Sequence, residues 1–232
     1  MMLTLRTLAV LLGYPSAELK AHAGELRETL DREQALSRSE RRRLEPLLQR
    51  FEQEDLLDLQ AAYSELFDRS RSLSLHLFEH VHGDSRERGQ AMIDLGQQYM
   101  EAGFFLDSGE LPDFVPVFLE FASCLPDADA REMLGQPAHV FAALGERLGK
   151  RGSPYAAIFF ALVALAGVTP DAEALAEIDR NTPEDDPSRI DEEWEEAPVS
   201  FSSGGAHEMG GPTGVVAKIR ASNRPVNRKA GA

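Results

Sequence analysis

The stretch that decides the fold class is residues 153–168, SPYAAIFFALVALAGV. It is apolar on nearly every face, and it lies between Pro154 and Gly167, two residues that commonly bound a helix. A helix that is apolar all round is buried in a larger protein, and this one is shorter than the roughly 18 residues needed to span a bilayer. We therefore predict a central buried helix against which other helices pack.

The rest of the first 180 residues shows helical periodicity. In residues 54–67, EDLLDLQAAYSELF, apolar side chains recur at steps of three and four, and the same pattern follows Pro112 over residues 113–125. Convincing period-two strands are missing from the sequence. Further helices are predicted at 3–12, 16–31, 37–53, 84–102, 137–150, 153–166 and 170–179. We predict that residues 1–180 form one all-α domain, a single helical bundle.

Residues 181–232 differ in composition from this domain. Residues 184–196 hold eight acids and one arginine, a net charge of −7, whereas the glycine-rich residues 197–232 carry a net charge of +4. Neither part has enough apolar side chains to offset the conformational entropy lost on ordering. We predict a mostly disordered tail, acidic at first and then basic.

The charge of the chain limits its partners. It has 39 acidic against 24 basic residues, net −15, of which residues 1–183 carry −12. Nucleic-acid binding is unfavourable for such a surface, whereas basic protein partners suit it. The apolar run at residues 8–12 is shorter than the hydrophobic region of a secretory signal, so we expect a cytoplasmic protein that does not insert into membranes. Cys124, the single cysteine, is expected to be buried.

A histidine motif raises the question of catalysis. Residues 76–92, HLFEHVHGDSRERGQAM, contain His76, Glu79 and His80 in the H-x-x-E-H order of a zinc-dependent hydrolase. Such a site needs a third ligand, and Gly83 would end the helix soon after the motif. We predict no catalytic residue, no metal and no cofactor, with the zinc hydrolase kept as a remote alternative.

Four arginines surround the same motif. Arg69, Arg71, Arg86 and Arg88 are expected to pair with acids, and the candidate acids are Asp68, Glu79 and Asp94. An anion site at a helix start near Asp84 is the alternative.

Two segments carry a family resemblance. Residues 63–95, YSELFDRSRSLSLHLFEHVHGDSRERGQAMIDL, resemble the central signature of the NarJ family of nitrate reductase assembly chaperones. Residues 110–123, ELPDFVPVFLEFAS, resemble the Pro-Asp region of the wider TorD/DmsD chaperone superfamily, and residues 11–19 and 191–201 are similar to other NarJ-family segments. The resemblance implies a TorD/NarJ-type helical bundle.

The resemblance also implies a function. A protein of this kind is no enzyme: it binds the apo catalytic α subunit of respiratory nitrate reductase, through its N-terminal segment and its folded surface. It keeps that subunit competent for molybdenum cofactor insertion before membrane docking, and it is absent from the final enzyme. Molybdenum cofactor biosynthesis proteins are further expected partners. A chaperone for a dimethyl sulfoxide or trimethylamine oxide reductase is the alternative.

A client groove is predicted between residues 63–92 and the helix that follows Pro112. An amphipathic client helix would place its apolar face there and its basic residues against acids. Core packing is the alternative role for Tyr63 and Phe67. His80 and His82 would make client binding sensitive to pH. The predicted client-binding residues are Tyr63, Phe67, Asp68, Arg69, Glu79, His80, His82, Arg86, Arg88, Pro112, Asp113 and Phe114.

Overall fold

A computed structural model of the chain describes residues 1–83, 87–107 and 109–181. The helices are α1 (Met2–Leu12), α2 (Ala17–Ala21), α3 (Ala23–Glu33), α4 (Arg38–Gln53), α5 (Leu56–Phe67), α6 (Leu77–His82), α7 (Glu87–Glu101), α8 (Val115–Cys124), α9 (Asp127–Gly135), α10 (Ala138–Lys150), α11 (Ala156–Ala166) and α12 (Ala172–Asn181), with a 3-10 turn at Arg71–Leu73. Within these described ranges there is no strand, and the all-α prediction is confirmed.

Helix α11 is the centre of the bundle, as its sequence predicts. Ile158, Phe159 and Leu162 are fully buried, and the helix packs against α10, α9 and α4. It ends at Gly167, whose φ of 68° lies in the left-handed region that glycine adopts at low cost. The all-round apolar sequence of α11 therefore reflects neighbours on several sides.

Helices α1 and α8 form the second large contact of the core. Leu5, Leu8 and Leu12 of α1 are completely buried, and so are Val115 and Leu119 of α8. At the edge of this contact the Arg6 guanidinium donates a hydrogen bond of 3.1 Å to the Ser123 hydroxyl. The first helix thus belongs to the core of the domain.

Two predicted helices have different boundaries in the structure. The helix predicted at 16–31 is divided at His22, whose φ and ψ of −104° and 9° are not helical. The helix predicted to start after Pro112 begins only at Val115, because the backbone of Asp113 bonds another segment. Helix α9 was not among the predicted helices.

Cys124 contradicts its predicted burial. It is the last residue of α8 and is exposed. Its thiol donates to the Glu120 carbonyl at 3.5 Å and accepts from Arg6 Nη2 at 3.8 Å. The apolar run around it indicated burial, but Cys124 is the last residue of α8, where the helix ends at the surface.

The described residues lie in one compact unit, Met1–Asp186. No helix in the described part of the chain is both long and apolar enough to cross a membrane. The second unit, Pro187–Ala232, and with it nearly all of the predicted tail at 181–232, lies outside the described residues, so the domain division remains a prediction.

Candidate functional site

The site is built where two distant segments meet in front of α6 and α8. The Leu77 amide donates to the Asp113 carbonyl at 3.0 Å, and the Val115 amide donates to the Leu75 carbonyl at 2.8 Å. These two bonds make an antiparallel bridge between His76 and Phe114. The segment that carries α6 and α7 therefore begins and ends at the same place in the fold.

The Asp113 side chain holds the start of α6. It is fully buried, its Oδ2 accepts from the Phe78 amide at 3.2 Å, and its Oδ1 lies 3.1 Å from His76 Nδ1. His76 is the N-cap residue of α6 but makes no side-chain capping bond itself. Asp113 thus satisfies an unpaired amide at a helix N-terminus, where a negative charge is also favoured by the helix dipole.

The residues on either side of Asp113 are fixed as well. The buried Tyr99 hydroxyl donates to the Pro112 carbonyl at 2.8 Å, and burial raises the pKa of Tyr99. The Phe114 ring lies 5.3 Å from the His76 ring, measured between centroids. Pro112 and Asp113 are therefore buried, while Phe114 is half-buried and reaches the surface.

His80 of α6 bonds the backbone just before the bridge residue His76. Its Nε2 donates to the Ser74 carbonyl at 2.8 Å. Desolvation by the surrounding protein lowers the pKa of His80, and the bond to Ser74 opposes this only in part. The ring is therefore neutral near pH 7, and its position follows from the turn before α6.

An arginine that the sequence did not single out connects this turn to the bundle. Arg147 of α10 donates to the Ser72 carbonyl at 3.1 Å and to the Asp179 carboxylate at 3.0 Å. Arg151, one turn later, donates to the Ser70 hydroxyl at 3.3 Å. The available signal was the place of Arg147 between Leu144 and Leu148, an apolar pair at the four-residue spacing of a helix face, and both leucines are buried in the structure.

Charged residues line the surface where α6 meets α7. Arg88 donates to the Glu79 carboxylate at 3.0 Å, one of the predicted pairings, and both side chains are partly exposed. The His82 ring packs edge-on against Phe78, with centroids 5.6 Å apart. Arg69 forms its ion pair with Glu65 instead of a predicted acid. Arg86 lies outside the described residues.

Tyr63 and Phe67 are core residues of α5. Both are buried, their ring centroids are 4.8 Å apart, and the Tyr63 hydroxyl donates to the Leu12 carbonyl at 2.8 Å. Burial raises the pKa of Tyr63. Asp68 and Arg69, which follow α5, are exposed.

The structure brings only some of these residues into one region. Tyr63 and Phe67 pack toward Leu12 and Tyr155. The residues that the bonds above bring together are His76, Glu79, His80, Arg88, Asp113 and Phe114.

An apolar surface accompanies these charged groups. Along α7 only Tyr99 is buried, whereas Ile93 is 63% and Met100 is 57% exposed. Phe105 is 77% exposed in the segment that leads back to the bridge. The other exposed large apolar residues of this region are Val81 and Leu111. We call Val81, Ile93, Met100, Phe105 and Leu111 the α7 surface. Exposed large apolar side chains concentrated in one segment of the chain are typical of a protein-binding face.

The H-x-x-E-H residues do not form a metal site in this arrangement. His76 turns to Asp113, Glu79 to Arg88 and His80 to the Ser74 carbonyl. His76 also precedes α6, so the two histidines do not share a helical face. Nowhere in the described ranges do three His, Cys, Asp or Glu side chains come close enough to hold one ion.

Comparison with known protein sequences gives relatives that all carry nitrate reductase in their descriptions. The sequence profile of the family described as "Nitrate reductase delta subunit" matches residues 15–161. The chain is 43% identical over 201 residues to the nitrate reductase molybdenum cofactor assembly chaperone NarJ of Escherichia coli (strain K12), covering 86% of this chain and 85% of that protein. It is 46% identical over 147 residues to NarW of the same strain, covering 63% and 64%.

A solved structure shows the same fold. It is described as a redox enzyme maturation protein from Archaeoglobus fulgidus, and it superposes with a TM-score of 0.52 over 72% of this chain and 94% of that one. The two sequences are 20% identical, so the similarity concerns the fold alone.

Proposed function

The chain belongs to the nitrate reductase delta subunit family, and from this membership we propose that it is an assembly chaperone for a respiratory nitrate reductase. Its relatives over most of its length are named as molybdenum cofactor assembly chaperones, which makes it a NarJ-type chaperone and no enzyme. Its client would be the catalytic α subunit in its apo form. The chaperone would bind the N-terminal segment and folded surface of that subunit in the cytoplasm.

The chaperone would act before the enzyme is complete. By covering part of the apo subunit it would keep the subunit competent for molybdenum cofactor insertion, and it would leave before the subunit docks at the membrane. Molybdenum cofactor biosynthesis proteins would meet the chaperone and client at this stage. The chaperone itself would carry neither cofactor nor metal.

The observation that supports a client-binding role best is the α7 surface. Helix α7 carries apolar residues along its length but buries only Tyr99. An amphipathic client helix could cover Ile93 and Met100 and place further apolar contacts on Phe105. Covering these side chains would remove apolar area from water, which is the main source of free energy in such association.

Acids along the same helix would select a basic client segment. Glu87, Asp94 and Glu101 of α7 are all exposed, and Glu79 is partly exposed beside Arg88. Such charges attract a basic peptide and fix its orientation more than they add affinity.

The predicted client-binding residues that the structure describes would then divide into three groups. Glu79, His82, Arg88 and Phe114 would contact the client, because they are partly exposed near α7. Pro112, Asp113 and His80 would position the α6–α7 segment from beneath, through the bonds described above. Tyr63 and Phe67 would support α5 from inside the core, and Asp68 and Arg69 would lie on its exposed end.

Calorimetric titration with a peptide from the N-terminus of the cognate α subunit tests this proposal. Ile93→Ser combined with Met100→Ser should weaken binding at least tenfold, because two apolar contacts would be lost. Leu57→Ser is the matched control, since Leu57 is 72% exposed on α5. Equal weakening by control and test variants, or unchanged affinity in the double variant, would reject the α7 surface as the binding face.

A further inference from the structure

A basic face on α4 stands out from the acidic chain. Residues 38–43, RSERRR, contain four arginines and one glutamate, a net charge of +3, whereas residues 1–183 together carry −12. Arg38 and Arg42 are one helical turn apart and exposed. They border an open cavity of about 810 Å³ between α3 and α4, and this cavity is also lined by Arg27 and Arg41.

Two of the four arginines that line the cavity form ion pairs within the protein. Arg27 pairs with Glu45 and Glu52 at 3.0 and 2.5 Å, and the hydrogen bond to Glu52 raises the pKa of Arg27. Arg41 lies 3.2 Å from Asp31. These ion pairs connect α3 to α4 and hold the two helices that line the cavity together.

The other two arginines have no acidic partner in the described part of the chain. Neither Arg38 nor Arg42 makes an ion pair or side-chain hydrogen bond there. A guanidinium presents five donors in a planar fork that matches a carboxylate, so two of them one turn apart suit two neighbouring carboxylates. We propose that Arg38 and Arg42 form a second docking site, for an acidic polypeptide segment, separate from the α7 surface.

The start of α4 argues for carboxylates on a polypeptide over a phosphate group. Phosphates are commonly bound by free backbone amides at a helix N-terminus. Here a capping box occupies that position: the Ser37 hydroxyl accepts from the Glu40 amide, and the Glu40 carboxylate accepts from the Ser37 amide. The side chains of Arg38 and Arg42 beside the cavity, in contrast, are exposed.

This site would give the chaperone two faces of opposite charge. The α7 surface, flanked by acids, would take a basic segment, and the α4 face would take an acidic one. The two share no lining residue. The acidic partner could therefore bind while the first face is occupied, and the proposal does not depend on which client α7 binds.

Fluorescence anisotropy with a labelled, alternating Glu-Gly peptide tests the site on the full chain at low salt. The double variant Arg38→Glu with Arg42→Glu should weaken binding about tenfold, since two attractive pairs become repulsive. The matched control is Arg131→Glu with Lys150→Glu, two exposed cations on α9 and α10 with the same change in charge. Its affinity should stay within about twofold of the unaltered chain.

Three outcomes would overturn the proposal. Equal weakening by both double variants would show that only overall charge matters. No binding of the acidic peptide to the unaltered chain would remove the site. Displacement by inorganic pyrophosphate, but not by chloride at the same ionic strength, would indicate a phosphate site. The Arg38→Glu, Arg42→Glu variant should bind the client peptide at least as tightly as the unaltered chain, because the substitutions lie outside the α7 surface and only add negative charge. This result would separate the site from the proposed chaperone function.

Discussion

The Asp113 carboxylate accepts a hydrogen bond from the Phe78 amide at the start of α6, 35 residues earlier in the chain. It is fully buried, so its loss would leave the Phe78 amide without a partner in the protein interior.

Asp113→Ala should therefore lower the free energy of unfolding by about 2 kcal/mol, measured by urea denaturation. Asp113→Asn should cost less, because the amide oxygen still accepts from Phe78. The control is Asp94→Ala, an exposed acid bonded to Gln90 on its own helix, which should stay within about 0.5 kcal/mol of the unaltered chain. Similar losses for Asp113→Ala and Asp94→Ala would contradict a buried capping role.

His80 should make the stability of the domain depend on pH. Burial lowers its pKa in the folded state below the ordinary value of 6.5, so on acidification the unfolded chain takes up a proton that the folded chain does not. The stabilisation is complete above pH 6.5 and decreases as the pH falls below that value, until the folded form also titrates.

His80→Gln, whose amide can still donate to Ser74, should reduce this slope when unfolding is measured between pH 7.5 and 5.5. His139 has a pKa shifted in the same direction, also by burial, and His139→Gln should remove a second, independent part of the slope. A slope unchanged by His80→Gln would mean that the ring is solvated in the folded protein.

At single residues the structure shows contacts that the sequence did not predict, and the client-binding role of these positions stays a prediction. Asp113 and His80 were chosen as client-binding residues because of their charge and their motif. Their partners, Phe78 and Ser74, depend on a bridge between segments far apart in sequence, and local periodicity contains no information on such pairing. The core role of Tyr63 and Phe67 was the alternative that the pattern left open.

Helix α7 buries little of its length in the core. Only Tyr99 of its residues is buried, and the helix packs mainly on the short α6. Helix α11, by contrast, is buried along most of its length. Elements with few buried contacts open locally at lower free energy than core helices.

Amide hydrogen exchange should therefore be much faster in α7 than in α11. Binding of the client peptide should slow exchange in α7 and leave α11 unchanged, because the peptide would cover the α7 surface. Mass spectrometry of peptic fragments from the free and bound protein measures this. If the client slowed exchange in α5 instead, the binding face would have to be placed there.

The sequence predicted helices best where one strong pattern determined them. Helix α11 was identified from its uninterrupted apolar run and α5 from its spacing. The break at His22 and the late start of α8 were missed. For α8 the reason is that backbone groups of Asp113 and Val115 bond residues 77 and 75, and local periodicity contains no information on such pairing. Helix α9 follows Pro126 directly and has a weak apolar pattern.

For the whole molecule the dominant property is charge. With −12 over residues 1–183, the domain should attract a basic client from a distance, and salt should screen this attraction. Stopped-flow association with the client peptide should slow about tenfold or more between roughly 20 and 200 mM salt, with a smaller change in dissociation. Association that does not depend on salt would show that apolar contact alone controls the encounter.

The bridge between His76 and Phe114 has a consequence for how such proteins diverge. The segment between them, which carries α6 and α7, begins and ends at one point, and its two ends are held together by backbone hydrogen bonds that do not depend on side-chain identity. Lengthening such a loop is cheap, since doubling it costs only about 0.6 kcal/mol of closure entropy. We therefore expect that this segment can be exchanged between related chaperones. The exchange should transfer client preference while the helices of the bundle remain the same.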